Sequence, residues 1–222
     1  MELYEAMRTT FAAREYTGES INDEILYSIL ENARFAPSGG NRQGNRVIIV
    51  RDDNTRNKVI KLLEPAAKRY QAQVTAGESP WNTISPTKTT ADEIEKTVAP
   101  VRLMEPYRTA SVLLIILVDL KVVASTDQYL DRVGVISGAS IYPFVWNILM
   151  GARQSGFGGT ITTLAAAEEP AIQELLHIPK EFAVSAILPL GKPVKQLTKL
   201  KRLPVEQIAT YENFDGPAFT KP

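Results

Sequence analysis

The chain has 222 residues, of which 44% are hydrophobic and 23% charged, so it has the composition and the length of one globular domain with a full core. Its 25 basic and 25 acidic residues cancel to a formal net charge of zero, which argues against a nucleic-acid-binding face and against a polybasic membrane anchor. The absence of cysteine excludes thiol nucleophiles, disulfides and thiolate metal sites, and with a single histidine we predict no metal centre.

The chain shows no feature of secretion or of membrane insertion. Its first residues, MELYEAMRTT, are typical of a polar helix start and lack the apolar run of a signal peptide. The longest apolar run, Val112 to Val118, is too short to cross a bilayer and is typical of a buried strand. We therefore expect a cytoplasmic protein that binds no membrane.

The first third of the chain predicts three helices and one strand. The spacing of apolar residues indicates a helix from 3 to about 13. A second helix is indicated at 22–33, because its first residue is a good N-cap and its apolar residues recur with the helical period. The strand Val47–Val50 follows, and then a helix that Asp53 or Asn54 caps.

From Thr75 to Pro106 the helical periodicity breaks. This stretch contains four prolines, the pair Trp81-Asn82 and several threonines, and only Asp92 to Val98 predicts a short helix. It is too long to be a simple connection between two elements. We interpret residues 75–106 as a lid or a pocket wall, with a partly disordered excursion as the alternative.

The second half predicts a central strand, a long helix and a closing strand. Ser111–Asp119 is apolar on both faces, which is typical of a strand in the middle of a sheet. The long helix is predicted at 133–153, and a helix that is apolar over so much of its surface often packs against a second copy of itself. A short helix at 168–177 and the strand Ala183–Gly191 follow. We interpret about 192–222 as a C-terminal arm that lies over a partner.

The segment from Pro37 to Gln43 has the features of a ligand-binding loop. Proline ends the preceding helix, and two glycines let backbone N–H groups approach a ligand that a Cβ would exclude. Asn41 and Gln43 each offer a donor and an acceptor, which suits a flat heterocycle with alternating carbonyl and N–H edges. The alternative is a helix end followed by an ordinary turn.

This loop, Ala36-Pro-Ser-Gly-Gly-Asn-Arg-Gln43 with Val47-Ile-Ile-Val50 behind it, closely resembles the signature loop of the nitroreductase family of FMN enzymes. The resemblance implies an α+β fold with a central, mainly antiparallel sheet flanked by helices, in an intertwined homodimer whose interface clefts hold FMN. It also implies that NADH or NADPH donates a hydride, and that a small-molecule acceptor such as a nitroaromatic or a quinone takes the electrons in a ping-pong cycle.

The same resemblance implies the residues that contact the flavin. The loop and the helix–glycine–strand segment at 134–163 supply most of them: Pro37, Ser38, Gly39, Asn41, Gln43, Ser140, Ile161, Thr162 and Thr163. The first basic cluster of the family commonly reads Arg-Arg-Ser-x-Arg, whereas this chain has only the last arginine, Arg14, with Arg8 as a substitute. In the tail, Lys201 and Arg202 match the closing motif that holds the FMN phosphate, and a solvated basic tail is the alternative.

No side chain is a good candidate for the catalytic group, so we expect the cofactor to carry the chemistry. His177 lies at a predicted helix end, where a capping or surface role is expected, and the chain has no Gly-x-Ser-x-Gly elbow. We therefore expect no side chain to be an obligatory acid, base or nucleophile, because hydride transfer needs mainly alignment. Two alternatives stay open: a reductive dehalogenase or flavin-modifying enzyme on the same fold, and a flavin-binding dimer without turnover.

Overall fold

The structure, a computed structural model, describes every residue from Met1 to Pro222. Eight α-helices are present: α1 Leu3–Thr9, α2 Asp23–Ala33, α3 Asp53–Thr75, α4 Ala91–Lys96, α5 Val101–Thr109, α6 Tyr142–Gln154, α7 Leu164–Ala167 and α8 Glu169–Leu175. The four strands are β1 Asn45–Val50, β2 Val112–Asp119, β3 Gly158–Gly159 and β4 Phe182–Gly191. Short 3-10 turns occur at Gly39–Asn41, Ile136–Ser140 and Val205–Gln207. None of the helices combines the length and the apolar character that a bilayer crossing needs.

The strands form one antiparallel sheet in the order β1-β2-β4-β3. Its central strand β2 is buried on both faces, as the sequence predicted from its continuous apolar run. Since successive side chains of a strand point to opposite faces, Leu113, Ile115 and Leu117 enter one core cluster while Leu114 and Ile116 enter the other. The side chains of a single strand therefore contribute to both cores.

Helices cover both faces of the sheet. One core receives apolar side chains from α3, α5, α7 and α8, including Val59, Leu63, Tyr107 and Ile172. The other core receives them from α2 and α6. The structure thus confirms an α+β fold with an antiparallel sheet between helices.

The first helix is shorter than the predicted 3–13, because it ends at Thr9. The hydroxyl groups of Thr9 and Thr10 donate to carbonyl oxygens one turn back, at 2.8 and 2.7 Å, and close the last turn. The chain then turns to the sheet edge, where the N–H of Ala13 donates to the carbonyl of Gly159 at 2.9 Å. Pairing with a distant strand ends this helix.

The predicted helix at 133–153 is also wrong at its start. Helix α6 begins at Tyr142, after the 3-10 turn Ile136–Ser140. Pro143 lies in the first turn of α6, where its missing N–H removes no intrahelical hydrogen bond and its fixed φ suits a helix start. The N–H groups of Val135 and Ile136 instead donate to the carboxylate of Asp127, at 2.7 and 3.3 Å.

Two further boundaries differ from the prediction. Helix α3 is capped by Asp52, whose carboxylate accepts from the N–H of Thr55 at 2.7 Å, and neither Asp53 nor Asn54 is its cap. The 75–106 stretch is not irregular to its end, because α5 begins at Val101 and continues through Pro106 to Thr109. Both α4 and α5 pack on α3. The proposed lid role of the stretch stays a prediction.

Candidate functional site

A cleft of about 630 Å³ lies where helix α5, the loop around Trp81 and the segment after β3 meet. Four of the predicted site residues line it together: Arg14, Ile161, Thr162 and Thr163. The opposite wall comes from the stretch predicted to be a lid or pocket wall, through Pro80, Trp81, Arg102, Leu103 and Pro106. The volume is within the range of sites for cofactors and other small molecules.

The segment after β3 is fixed to the sheet. Thr162 exchanges two backbone hydrogen bonds with Ile187 of β4, at 3.1 and 2.9 Å, and its hydroxyl donates to the same carbonyl at 2.8 Å. Gly159 is required for this close approach, because a Cβ there would lie 2.5 Å from the carbonyl oxygen of Pro189. The cleft therefore has one rigid wall built on the sheet edge.

Arg14 presents an exposed cation at this cleft. Its guanidinium donates to the carbonyl of Ala12 at 3.2 Å and pairs with no carboxylate. The segment that carries it is held in place by the pairing of Ala12 and Ala13 with Gly159. A positioned and unpaired guanidinium of this kind suits a negatively charged or electron-rich ligand.

Tyr107, which also lines the cleft, is fully buried, and its hydroxyl makes no hydrogen bond of ordinary geometry, although the Thr162 hydroxyl lies close enough to act on its pKa. Burial raises the pKa of Tyr107 to about 12, while the Thr162 hydroxyl and the Arg14 charge act in the opposite direction. The phenol is therefore neutral at physiological pH and remains a hydrogen-bond donor. Buried polar groups without a partner are rare in folded proteins, and this one belongs to the lining of a cleft large enough for a ligand.

The glycine loop is held against the segment before α6. The N–H of Gly39 donates to Ser140 Oγ at 2.9 Å, and a Cβ on Gly39 would lie 3.3 Å from that oxygen. Inside the loop, Ser38 Oγ accepts from the N–H of Gln43 at 3.0 Å, and the Gln43 side chain donates to Asn41 Oδ1 at 3.2 Å.

Three residues of this loop have left-handed backbone conformations. The φ angles are 60° at Gly40, 53° at Asn41 and 51° at Gln43. Glycine adopts this region freely, whereas a non-glycine residue there is strained, and such strain concentrates at functional sites. Four predicted contacts, Ser38, Gly39, Asn41 and Gln43, therefore belong to this loop. The hydrogen bond from Gly39 places the fifth, Ser140, beside it.

The remaining predicted residues are not gathered with these. Ser38 and Gln43 line a separate concavity of about 290 Å³, which the main cleft does not include. Arg8, Lys201 and Arg202 line neither, and Arg202 donates only to the carbonyl of Lys201, at 2.8 Å. Pro37 is exposed at the start of the loop. One chain therefore holds the predicted site in separate parts.

The structure adds residues that the sequence analysis did not select. Tyr107 and Arg102 lie on α5, which the sequence interpretation divided between the lid and the chain after it. Asn45 begins β1, and its Oδ1 is buried without a partner beside Ser38 and Gln43. Of these three residues, only Asn45 could have been selected from the sequence, because it is a polar residue between the loop and an apolar strand.

An antiparallel sheet between two helical layers, with a strained glycine loop and a cleft beside its edge strand, defines an α+β ligand-binding domain. The chain belongs to the nitroreductase family: the sequence profile of that family matches residues 7–192. This confirms the resemblance on which the fold and the site were predicted.

Curated relatives of the chain are deiodinases. The chain is 25% identical over 210 residues to iodotyrosine deiodinase 1 of Homo sapiens, across 93% of this chain and 67% of that protein. It is 25% identical over 213 residues to iodotyrosine deiodinase of Thermotoga neapolitana, across 96% and 98% of the two chains. Its fold is similar to that of an oxidised iodotyrosine deiodinase bound to FMN and 3-iodo-L-tyrosine, with a TM-score of 0.68, 22% identity and coverage of 96% and 100%.

Proposed function

We propose that the protein is an FMN-dependent oxidoreductase that takes a hydride from NADH or NADPH and reduces a small aromatic acceptor, such as a nitroaromatic or a quinone. The observation that carries this proposal is the cleft in which Arg14 and the segment Ile161–Thr163 meet the unpaired hydroxyl of Tyr107. Membership of the nitroreductase family and the FMN in a structurally similar deiodinase support it.

The residues present suit a flavin. Asn41, Gln43 and the unpaired Oδ1 of Asn45 offer both donors and acceptors to a heterocycle edge, and Gly39 leaves no side chain in the way. Lys201 and Arg202 pair with no carboxylate, so both cations are free for a phosphate. When bound, FMN supplies reversible electron and hydride transfer, which no side chain of this chain provides.

The residues of this chain bind the cofactor and the acceptor, orient them and stabilise the charge that develops on them. The guanidinium of Arg14 would stabilise the negative charge of a reduced flavin bound in the cleft that it lines. The strand pairing of Thr162 with Ile187 holds the cleft wall rigid, so that donor and acceptor meet in a fixed geometry. His177 is exposed at the end of α8 and does not line the cleft, so protons for the reduced acceptor come from water.

A homodimer would join the two parts of the site. The loop with Ser38 and Gln43 lies in a different concavity from the cleft with Arg14, and one chain does not bring them together. Helix α6 buries one face in its own core yet exposes Tyr142 and Trp146, one turn apart on the other face. We propose that this face packs on a second copy, so that the loop of one chain completes the cleft of the other.

Reductive dehalogenation is the second candidate. The observation in its favour is the similarity to iodotyrosine deiodinases over 93% to 96% of this chain. In such a reaction a carbon–halogen bond breaks and a carbon–hydrogen bond forms. Two electrons and a proton are consumed, and the halogen leaves as halide.

Acceptor reduction separates the two candidates. Holoenzyme that has been reduced anaerobically with NADH is mixed with 4-nitrotoluene or with 2-iodophenol, and flavin reoxidation and iodide release are measured. We expect fast reoxidation by the nitroaromatic without iodide release from the phenol. Stoichiometric iodide release would favour the dehalogenase, and reoxidation by neither compound would contradict the proposed function.

A further inference from the structure

The wall of the cleft that faces the 160–167 segment carries an unpaired cation. Arg102 lines the cleft, and its side chain makes only a long hydrogen bond to Gln71 Oε1, at 3.4 Å. It pairs with no carboxylate, and no aspartate or glutamate lines the cleft. Arg14 lines the same cleft, so the lining carries two cations and no carboxylate.

Arg102 occupies a position in its helix where a positive charge does not stabilise the helix. It is the second residue of α5, whose first turn contains no acidic residue and whose N-cap has no side-chain hydrogen bond. The helix dipole disfavours a cation at this end and favours an anion. An anionic ligand would therefore be attracted by the guanidinium and by the helix end together.

Flat aromatic surfaces stand beside this cation. Tyr70 of α3 and Trp81 both line the cleft. The backbone N–H of Trp81 donates at 3.2 Å to the side chain of Gln73, a residue only 2% exposed, and the Arg69 guanidinium stacks on the indole, 4.2 Å from its ring centre. Such a fixed indole suits stacking on a planar ring, and the buried hydroxyl of Tyr107 points independently to a ligand with polar atoms.

We propose that the cleft selects a planar aromatic acceptor that carries an anionic group, with the ring against Trp81 and Tyr70 and the anion paired with Arg102. The acidic group is a carboxylate, a sulfonate or an acidic phenolate. As a statement about the acceptor, this rests on the proposed function, but the selectivity of binding does not require turnover.

Calorimetric titration of the FMN-loaded protein with 4-nitrobenzoate and with the neutral, nearly isosteric 4-nitrobenzamide tests the proposal. We expect the anion to bind at least about tenfold more tightly, as for one charge-assisted hydrogen bond. Arg102→Gln should abolish this preference. Arg108→Gln removes the same charge from the same helix outside the cleft, where Arg108 lies 3.9 Å from Glu105, and should keep the preference.

Equal affinity of the wild-type protein for the two compounds would overturn the proposal, even if Arg102→Gln failed to fold. A loss of NADH affinity in Arg102→Gln, with unchanged nitrobenzoate affinity, would overturn it too, because Arg102 would then contact the electron donor. Selective binding of nitrobenzoate by a protein whose flavin NADH cannot reduce would uphold the inference and reject the proposed function.

Discussion

Among the side chains that line the cleft, Tyr107 is the one whose hydroxyl is both buried and unpaired. The neighbouring Thr162 hydroxyl donates to the Ile187 carbonyl and lies near the phenol, but no hydrogen bond of ordinary geometry joins the two hydroxyl groups. An unpaired buried hydroxyl destabilises the ligand-free protein by its lost hydration, and a ligand that accepts its hydrogen bond removes that cost. Removal of the hydroxyl should therefore affect stability and ligand binding in different ways.

Tyr107→Phe should leave the unfolding free energy of the flavin-free protein unchanged or slightly higher, because it removes only an unsatisfied group. Flavin or acceptor affinity should fall by about 2- to 13-fold, the equivalent of one neutral hydrogen bond. Urea denaturation and ligand titration measure the two effects. A destabilised protein with unchanged affinity for both ligands would show that the hydroxyl has a structural partner instead.

Arg202→Ala should lose a charge-assisted contact to the flavin phosphate and bind FMN about 10- to 150-fold more weakly. Lys221→Ala removes the same charge from the same exposed tail and serves as the matched control. Fluorescence titration with FMN compares both with the wild type. Equal affinities of all three proteins would contradict the assignment of Arg202.

At the scale of elements, Asp127 shapes the approach to α6. Its carboxylate accepts from the N–H groups of Val135 and Ile136, from Ser125 and from Arg132. These contacts hold the residues before the Ile136–Ser140 turn, and Ser140 in turn holds Gly39 of the loop. One buried carboxylate therefore supports part of the proposed site from a distance.

The hydrogen bond from Val135, followed by those from Arg132 and Ser125, lowers the pKa of Asp127 although its burial acts in the opposite direction. Since the folded-state pKa is depressed, the stabilisation is complete above about pH 4, the unfolded value, and is lost as the pH falls further. Asp127→Asn should have a lower urea midpoint at neutral pH and a smaller loss of stability below about pH 4. Asp131→Asn, at a nearby exposed residue, is the control. Parallel pH profiles of wild type and Asp127→Asn would contradict this.

Sequence patterns predicted several elements whose deciding interaction is local, although the local cap of α3 at Asp52 was missed. The side chains of β2 alternate between the two cores, and Asn22 caps α2. Both features follow from neighbouring residues in the sequence. The end of α1 depends on pairing with Gly159, which is distant in sequence, and the start of α6 depends in part on Asp127, which lies outside the helical pattern eight residues before Val135. Pro143 alone was a local signal for the second boundary.

At the scale of the molecule, the family resemblance predicted the fold, but one chain does not assemble the whole predicted site. Arg14 and Thr162 share a cleft because both flank the sheet edge at β3. Ser38 and Gln43 lie elsewhere on the chain surface. Sequence reasoning could assign these residues to one site through the family resemblance, but it could not show that the fold separates them, since their distance depends on tertiary packing.

We predict an obligate homodimer whose interface includes the exposed face of α6. Analytical ultracentrifugation at micromolar concentration should show only dimer for the wild type. Trp146→Lys places a charge on a side chain that is 37% exposed in the single chain, so it should weaken the dimer and flavin binding together without unfolding the chain. A folded, flavin-loaded monomer would contradict the prediction.

A flavin bound at this site should accept electrons from NADH or NADPH, and an anaerobic titration of the purified protein measures that transfer. We predict a yellow protein with about one FMN per chain, whose flavin absorbance bleaches on addition of NADH or NADPH far faster than that of free FMN, because the protein aligns donor and ring. A protein that binds no FMN, or a yellow protein that neither nucleotide bleaches, would contradict the account.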